Sequence, residues 1–186
     1  MSKYLFLRTD RLGDFLLSAI LIKSIKRNDP NSHITVICSI KNYDLVKKIN
    51  LVDEAILYPT NTVKKIIFFL KFMRKSYFFV AALDGKKRSI YLSLLLNAKI
   101  KILCTYKKFY KKIFSPFYKI ILLDSHTESK IFEIKNILKI LNFDFIDSDL
   151  NFLGNDFFTN SFFKKNNSIL PVDYNLFHFD EKWIYN

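Results

Sequence analysis

The sequence predicts an α/β fold in which a parallel β-sheet is covered by helices on both of its faces. Short runs rich in β-branched and aromatic residues alternate with segments that repeat apolar residues at helical spacing. The strand-like runs are almost continuously apolar, which is typical of parallel strands buried on both sides. Because strands and helices alternate along the chain, we expect a doubly wound, Rossmann-like sheet.

The strands are predicted from runs of apolar and β-branched residues that end at polar or turn-forming residues. His33–Ser39, for example, is rich in β-branched residues. The run Ala55–Tyr58 ends at Pro59. The six predicted strands, in chain order, are Tyr4–Arg8, His33–Ser39, Ala55–Tyr58, Tyr77–Leu83, Lys99–Thr105 and Ile120–Leu123.

The helices are predicted from apolar residues spaced three and four apart. The first predicted helix ends before Asn28-Asp29-Pro30, a strong helix breaker, and the last carries one continuous apolar stripe. The basic segment between Thr105 and Ile120 is predicted to be a loop. The five predicted helices are Phe15–Lys26, Asp44–Ile49, Val63–Met73, Ser89–Leu96 and Glu128–Leu141.

The domain organisation is predicted from where this pattern stops. Residues 1–142 form the Rossmann-like domain, and residues 143–173, rich in Asp, Asn, Ser and Phe, are predicted to be a linker. Tyr174–Phe179 has the pattern of one more strand, but a lone strand cannot form a domain. Residues 174–186 are therefore predicted to be the start of an incomplete second domain.

The positive charge is concentrated in one third of the chain. Thr60 to Leu123 contains fifteen Lys and Arg residues and one acid, Asp84, whereas the formal net charge of the whole chain is +13. Such an asymmetry predicts an anionic neighbour, which could be phospholipid headgroups, a phosphorylated substrate or nucleic acid.

Several classes of protein are excluded by what the sequence lacks. Glycine occurs only at positions 13, 85 and 154, so neither a dinucleotide-binding fingerprint nor a P-loop is present. Cys38 and Cys104 are far apart, and the three His residues have no nearby Cys or acidic cluster, so no metal site is expected. The absence of a signal peptide and of an uninterrupted apolar span favours a cytoplasmic location.

The junction between the first strand and the first helix is the main candidate site. It reads Arg8-Thr9-Asp10-Arg11-Leu12-Gly13-Asp14 and lies at the carboxyl end of a strand, where ligands bind in doubly wound sheets. Asp14 is either an N-cap or first-turn acid favoured by the helix dipole, or a general base at the mouth of a cleft. Arg8 and Arg11 are expected to be surface charges, solvated or paired with Asp. Gly13 is expected to permit an unusual backbone geometry.

The segment RTDRLGDFLLSAILIKSIKRNDPNSHITVICS resembles the opening of glycosyltransferase family 9, the ADP-heptose:lipopolysaccharide heptosyltransferase group. That family begins with a strand, a turn of the type R-x-D-R-x-G-D, a helix ending at Pro and a second strand. The resemblance continues more loosely to about residue 142. Asp84-Gly85-Lys86 matches an Asp-containing loop after a strand, and His126-Thr127-Glu128 opens a helix, as a His does in many members.

The resemblance implies the N-terminal half of a GT-B fold and a transferase that inverts the transferred sugar without a metal. The donor would be a nucleotide sugar, with ADP as the expected nucleotide and no other cofactor. The acceptor would be a lipopolysaccharide-type glycolipid or another cell-envelope glycan. Because the family's donor-binding residues lie in its second half, the chain is expected to be truncated and to lack that half.

The resemblance also implies roles for individual residues. Asp14 matches the family's catalytic base, which deprotonates the acceptor hydroxyl, and Gly13 would turn the backbone tightly enough to present that carboxylate. The residues implied to bind substrate are Thr9, Asp10, Arg11, Gly13, Asp84 and Lys86.

A second basic cluster interleaves with aromatic residues and has two interpretations. It is either a patch that contacts the anionic inner face of the inner membrane or a solvated loop over the core. The lysines concerned are Lys107, Lys108, Lys111 and Lys112.

Two alternatives to a transferase remain. One is a non-catalytic basic module that binds anionic membrane or nucleic acid. Nucleic acid is not expected as a partner, because no RNP, KH or helix-turn-helix pattern is present. The other alternative is a decayed gene fragment without function.

Overall fold

A computed structural model describes residues 1–122 and 130–150, and it contains a six-stranded parallel sheet with helices on both faces. The strands are β1 Lys3–Arg8, β2 His33–Cys38, β3 Glu54–Leu57, β4 Ser76–Ala82, β5 Asn97–Thr105 and β6 Lys119–Leu122. The helices are α1 Leu12–Asn28, α2 Tyr43–Val46, α3 Thr62–Met73, α4 Lys87–Leu95, α5 Lys108–Phe114 and α6 Lys130–Leu141, followed by a 3-10 helix at Asp147–Leu150.

The strands lie in the order β3-β2-β1-β4-β5-β6, and every pair of neighbours is parallel. On β1, Phe6 pairs with Val36 of β2 on one side and with Ala81 of β4 on the other. The chain reverses its direction of winding between β1 and β4, which opens a crevice beyond their carboxyl ends. The predicted doubly wound sheet is therefore confirmed.

Two hydrophobic layers cover the sheet, because successive side chains of a strand point to opposite faces. Tyr4 and Phe6 of β1 pack with α1 and α6 on one face. Leu5 and Leu7 of the same strand pack with α3, α4 and α5 on the other. Aromatic residues fill both layers; the ring centroids of Phe68 and Phe72, for example, lie 4.5 Å apart.

The prediction of a loop between Thr105 and Ile120 is wrong, because this segment forms the helix α5. Tyr110, Phe114 and Tyr118 recur four residues apart, and their rings contact one another in edge-to-face geometry. Tyr110 and Tyr118 are buried against the sheet, so this aromatic spacing stabilises a helical turn despite the lysines between the rings.

Other predictions differ in extent or lie outside the described residues. The helix predicted at Asp44–Ile49 is a shorter helix, α2, followed by turns. Residues 128 and 129, at the start of the predicted last helix, are outside the described residues, as are the His126 motif and the predicted strand Tyr174–Phe179. The first residues of the predicted linker, 143–150, pack against α1.

Candidate functional site

A cleft of about 850 Å³ opens at the carboxyl ends of the strands. Its walls come from the segments that follow β1, β2, β3 and β4, so the crevice that the topology creates is a real cavity of ligand size. The lining residues are Thr9, Asp10, Arg11, Ser39, Ile40, Lys41, Leu57, Tyr58, Pro59, Thr60, Lys64, Lys65, Lys86 and Arg88.

The cleft is strongly cationic. Six of its lining residues carry a positive charge, whereas Asp10 is the one carboxylate among them. A concave wall with charges of one sign concentrates ligands of the opposite sign. The six cationic residues are Arg11, Lys41, Lys64, Lys65, Lys86 and Arg88.

Arg8 organises the junction from inside the protein, so the expectation of a surface charge is wrong for this residue. Its side chain is 3% exposed. Nε and Nη2 donate to the carbonyl oxygen of Asp14 at 3.1 and 2.9 Å, and Nη1 donates to that of Leu83 at 2.6 Å. Arg8 therefore joins the ends of β1 and β4 to the first turn of α1. Arg11, by contrast, is exposed at the rim of the cleft.

Asp10 lies in the cleft wall with one oxygen paired and one unpaired. Its Oδ2 is 3.2 Å from Nη1 of Arg8, and its side chain is 13% exposed. Oδ1 is buried and has no hydrogen-bond partner among the described residues. Burial raises the pKa of Asp10, Arg8 opposes that shift, and the nearby carboxylates of Asp14 and Asp84 raise the pKa further.

Asp14 lies in the first turn of α1, half-buried and beside the cleft rather than among its lining residues. The N-cap position belongs to Arg11, so of the two structural alternatives Asp14 is the first-turn acid. Within residues 1–122 and 130–150, its carboxylate makes no hydrogen bond or ion pair, although it is close enough to influence Asp10.

Asp84 is engaged by the protein itself. Its Oδ2 accepts hydrogen bonds from the N–H and hydroxyl of Thr9 and from the hydroxyl of Ser89, and Oδ1 accepts one from the Lys86 N–H. It is not among the lining residues of the cleft. The structure thus gives Asp84 a positioning role, holding the end of β1 against the loop after β4.

Two cationic side chains converge on Thr9. Lys86 Nζ donates to the Thr9 carbonyl oxygen at 3.2 Å, and Arg88 donates to both the carbonyl oxygen and the hydroxyl. The Arg88 guanidinium also lies 5.6 Å from the ring centroid of Tyr58. Lys86 and Arg88 therefore form one ordered wall of the cleft with Thr9.

The predicted role of Gly13 as a tight turn is wrong. Gly13 lies inside α1, and a Cβ built on it would meet no atom within 4 Å. The glycine that needs its conformational freedom is Gly85, with φ of 58° and only 3.0 Å between such a Cβ and the carbonyl oxygen of Cys104. Gly13 instead leaves open space at the start of α1.

The lysines of the second basic cluster are exposed on or beside α5 and do not line the cleft. They are Lys107, Lys108, Lys111 and Lys112. Two further walls of the cleft, at residues 39–41 and 57–60, were not predicted from the sequence. Both segments follow predicted strands. Ligands bind at the carboxyl ends of strands in doubly wound sheets, so the reasoning that identified the β1–α1 junction applies to these two segments as well.

Within the described residues, no group of three or more His, Cys, Asp and Glu side chains is arranged to hold a metal ion. The same residues contain no helix with the length and apolar character needed to cross a membrane.

Comparison with known proteins shows a shared fold. Neither a protein-family model nor a curated protein sequence matches the chain. Among solved structures, the E. coli heptosyltransferase WaaC with ADP is 14% identical, with a TM-score of 0.63 over 78% of this chain and 49% of that one. A glycosyl transferase family 9 protein from Veillonella parvula is 20% identical, with a TM-score of 0.61 over 77% of this chain and 42% of that one.

The E. coli ADP-heptose lps heptosyltransferase II is 18% identical, with a TM-score of 0.51 over 67% of this chain and 35% of that one. The resemblance to glycosyltransferase family 9 is therefore confirmed at the level of the fold. The chain spans about half the length of the solved structures it matches, or less.

Proposed function

We propose that this chain is the acceptor-binding half of a glycosyltransferase that moves a sugar from a nucleotide-sugar donor to a cell-envelope glycan. The observation that carries the proposal is the cationic cleft beside Asp14, at the switch point of a fold shared with heptosyltransferases. The same edge of the sheet carries the R-x-D-R-x-G-D turn that resembles family 9.

The chemical step that we propose is an inverting, metal-independent displacement. An acceptor hydroxyl attacks the anomeric carbon of the donor, the bond to the nucleoside diphosphate breaks, and the hydroxyl proton passes to the Asp14 carboxylate. An alcohol is a poor nucleophile unless its proton is removed during the attack, so a carboxylate without internal partners suits this role.

We propose an anionic acceptor, because six cationic side chains line the cleft. Thr9, Asp10, Arg11 and Lys86 would contact it, and Asp84 would act through Thr9 and Lys86. A lipopolysaccharide-type glycolipid has suitable chemistry. Such an acceptor would place the protein in the cytoplasm, in peripheral contact with the inner membrane.

We place donor binding in a second half, complementary to this one. The support is that the chain spans about half of the solved structures it matches, of which one holds ADP and another ADP-2-deoxy-2-fluoro heptose. An ADP-linked sugar is therefore the donor to test first.

The first test is acceptor binding by the chain itself, measured by calorimetry with a deacylated, phosphorylated core glycolipid. Replacing both Lys64 and Lys65 by Gln should weaken binding, whereas Lys47→Gln with Lys48→Gln, outside the cleft, should not. Equal affinity of both double variants would contradict acceptor binding in the cleft.

The second test is turnover in the chain joined to a donor-binding half from a family 9 enzyme. Asp14→Asn should lower kcat by about 10²–10⁴-fold while acceptor affinity is retained. The matched control is Asp44→Asn on α2, which should leave kcat unchanged. Wild-type turnover by Asp14→Asn would remove Asp14 as the base.

A further inference from the structure

The outward face of α3 is apolar and uncovered within the described residues. Ile67 and Leu70 are 62% and 58% exposed, respectively. The opposite face already packs on the sheet, through Phe68 and the fully buried Phe72. The helix thus carries a second apolar stripe that the core does not use, composed of Val63, Ile66, Ile67, Leu70 and Met73.

The neighbouring helices of the same layer continue this surface. On α4, Tyr91 and Leu95 are exposed, and on α5 Phe109 is 67% exposed next to Ile113. Because α3, α4 and α5 all pack on one face of the sheet, their outer sides form one surface, which we term the basic face. Exposed apolar side chains on three helices of one layer are unusual for a surface in contact with water alone.

The charge on the basic face has one sign. The helices α3, α4 and α5 contain no Asp or Glu, whereas Lys64, Lys71 and Lys111 are exposed among the apolar residues. The helices of the opposite layer do contain acids, Asp14 on α1 and Glu133 on α6. The asymmetry predicted from the sequence therefore belongs to one side of the molecule.

We propose that the basic face docks on an anionic lipid bilayer and that the outward stripe of α3 is the element that inserts. Helices that lie in the membrane interface combine an apolar side with flanking Lys and Arg residues, which are drawn to anionic headgroups. Single-stranded nucleic acid suits α3 less well, because Val, Ile, Leu and Met offer no ring on which a base can stack.

This orientation has a consequence for the cleft. Lys64 and Lys65, in the first turn of α3, also line the cleft, so insertion of the helix brings the cleft mouth close to the headgroups. The inference does not rest on sugar transfer, since it is drawn from exposure and charge alone and its test measures binding.

The test is co-sedimentation of the chain with vesicles of phosphatidylcholine alone or mixed with phosphatidylglycerol, over a salt series. We expect binding to the anionic vesicles only, weakening as salt screens the lysines. Ile67→Ser with Leu70→Ser should weaken binding about tenfold or more, because two inserted aliphatic side chains are lost. The matched control, Leu17→Ser with Ile146→Ser, replaces exposed apolar residues outside the basic face and should bind like wild type.

A spectroscopic measurement locates the inserted element. With Trp183, the one tryptophan of the chain, replaced by Phe, Ile67→Trp should shift its emission to shorter wavelength on anionic vesicles, whereas Leu17→Trp should not. Circular dichroism and urea unfolding establish that the variants fold.

Three results would overturn the proposal: no binding to anionic vesicles at low salt, wild-type binding by the α3 double variant, or no shift at Ile67→Trp. A dimer in lipid-free solution that Ile67→Ser with Leu70→Ser dissociates would also overturn it, because the face would then bind a second copy. Transfer to a deacylated, soluble acceptor should be unaffected by the α3 variant, so failure of docking and failure of the proposed function are distinguishable.

Discussion

The two carboxylates at the β1–α1 junction are electrostatically coupled, and this coupling can be measured. Asp14 contributes to the raised pKa of Asp10, so Asp14→Asn should lower the pKa of Asp10 by removing a neighbouring negative charge. We expect a ¹³C carboxyl titration to place the pKa of Asp10 above its ordinary value of about 3.9 in the wild type and closer to it in the variant.

Asp44→Asn on α2 is the control for this titration, because Asp44 is not among the groups that shift Asp10. It should leave the titration of Asp10 unchanged. If the pKa of Asp10 were the same in the wild type and in Asp14→Asn, the two carboxylates would not be electrostatically coupled.

Replacement by Ala is expected to have opposite effects on the free energy of unfolding at Gly85 and at Gly13. Gly85→Ala should destabilise the protein by about 1–2 kcal/mol, because a side chain at positive φ is strained and its Cβ would lie against the Cys104 carbonyl oxygen. Gly13→Ala should stabilise it by about 0.4–1 kcal/mol, because the helix has open space there. Urea unfolding measures both, and equal effects would contradict the assignment.

Single residues of the site were only partly predictable from the sequence. The pattern located Thr9, Asp10 and Arg11 at the carboxyl end of a strand, and all three line the cleft. It could not show that Arg8 turns inward or that Asp84 is engaged by Thr9, because those outcomes depend on which backbone groups two distant loops leave unpaired.

Among the elements, the strands and long helices were predicted well because burial sets their pattern. Each of the six strands predicted within residues 1–123 corresponds to an observed one within two residues at either end. The helix α5 was not predicted, because its many lysines are typical of a loop. The aromatic residues four apart form a helix through their packing against the sheet. The exposure of the outward stripe of α3 could not be predicted, because a helix that is apolar on two sides has the same composition as a helix buried in the core.

The buried Asp149 carboxylate connects the 3-10 helix to α1. It accepts hydrogen bonds from the Ser24 hydroxyl at 2.8 Å and from Arg27 Nε and Nη2 at 3.1 and 3.0 Å. We expect Asp149→Ala to lower the free energy of unfolding by about 1–3 kcal/mol at neutral pH, measured by urea unfolding. Asp147→Ala, an exposed change in the same turn, is the control and should have little effect.

The pH dependence of this contribution has a definite sign. Burial alone would raise the pKa of Asp149, but the hydrogen bonds from Arg27, Ser24 and the Ile146 N–H outweigh it, so the pKa is lowered. Stabilisation by a carboxylate with a lowered pKa is present above its unfolded pKa of about 3.9 and is lost as pH falls through the folded pKa. The difference in the free energy of unfolding between wild type and Asp149→Ala should shrink as the pH falls below about 3.9, and an unchanged difference would contradict the ion pair.

At the scale of the whole molecule, the parallel sheet separates the two proposed binding regions, the cleft and the basic face. Its carboxyl edge gathers the ends of four strands around the cleft, where Lys86 and Arg88 are held by hydrogen bonds to Thr9. One of its two faces carries the helices without acids, whose apolar residues remain exposed. Because Lys64 belongs to both regions, the proposed membrane-bound acceptor could reach the cleft without the protein leaving the bilayer surface.

The sheet should also unfold in one cooperative transition. The reactivity of the two cysteine thiols measures whether it does. Cys38 on β2 and Cys104 on β5 are fully buried on either side of the central pair β1 and β4. Burial raises the pKa of the Cys38 thiol to about 12 and that of Cys104 well above its ordinary value, so few reactive thiolates exist in the native state. We expect both thiols to resist a thiol reagent at mildly alkaline pH and to become reactive at the same urea concentration, the midpoint of global unfolding.

A cysteine introduced at exposed Lys47 provides the control, since it should react at once in the native protein. If Cys104 reacted at a lower urea concentration than Cys38, the β4–β5–β6 half of the sheet would open separately from the half that holds β2 and β3. Loss of that half alone would detach α4 and α5, which follow β4 and β5, from a sheet edge that still carried Asp10 and Asp14, because these two residues follow β1. The order in which the two thiols react therefore tests whether the cleft and the basic face share one cooperative structure.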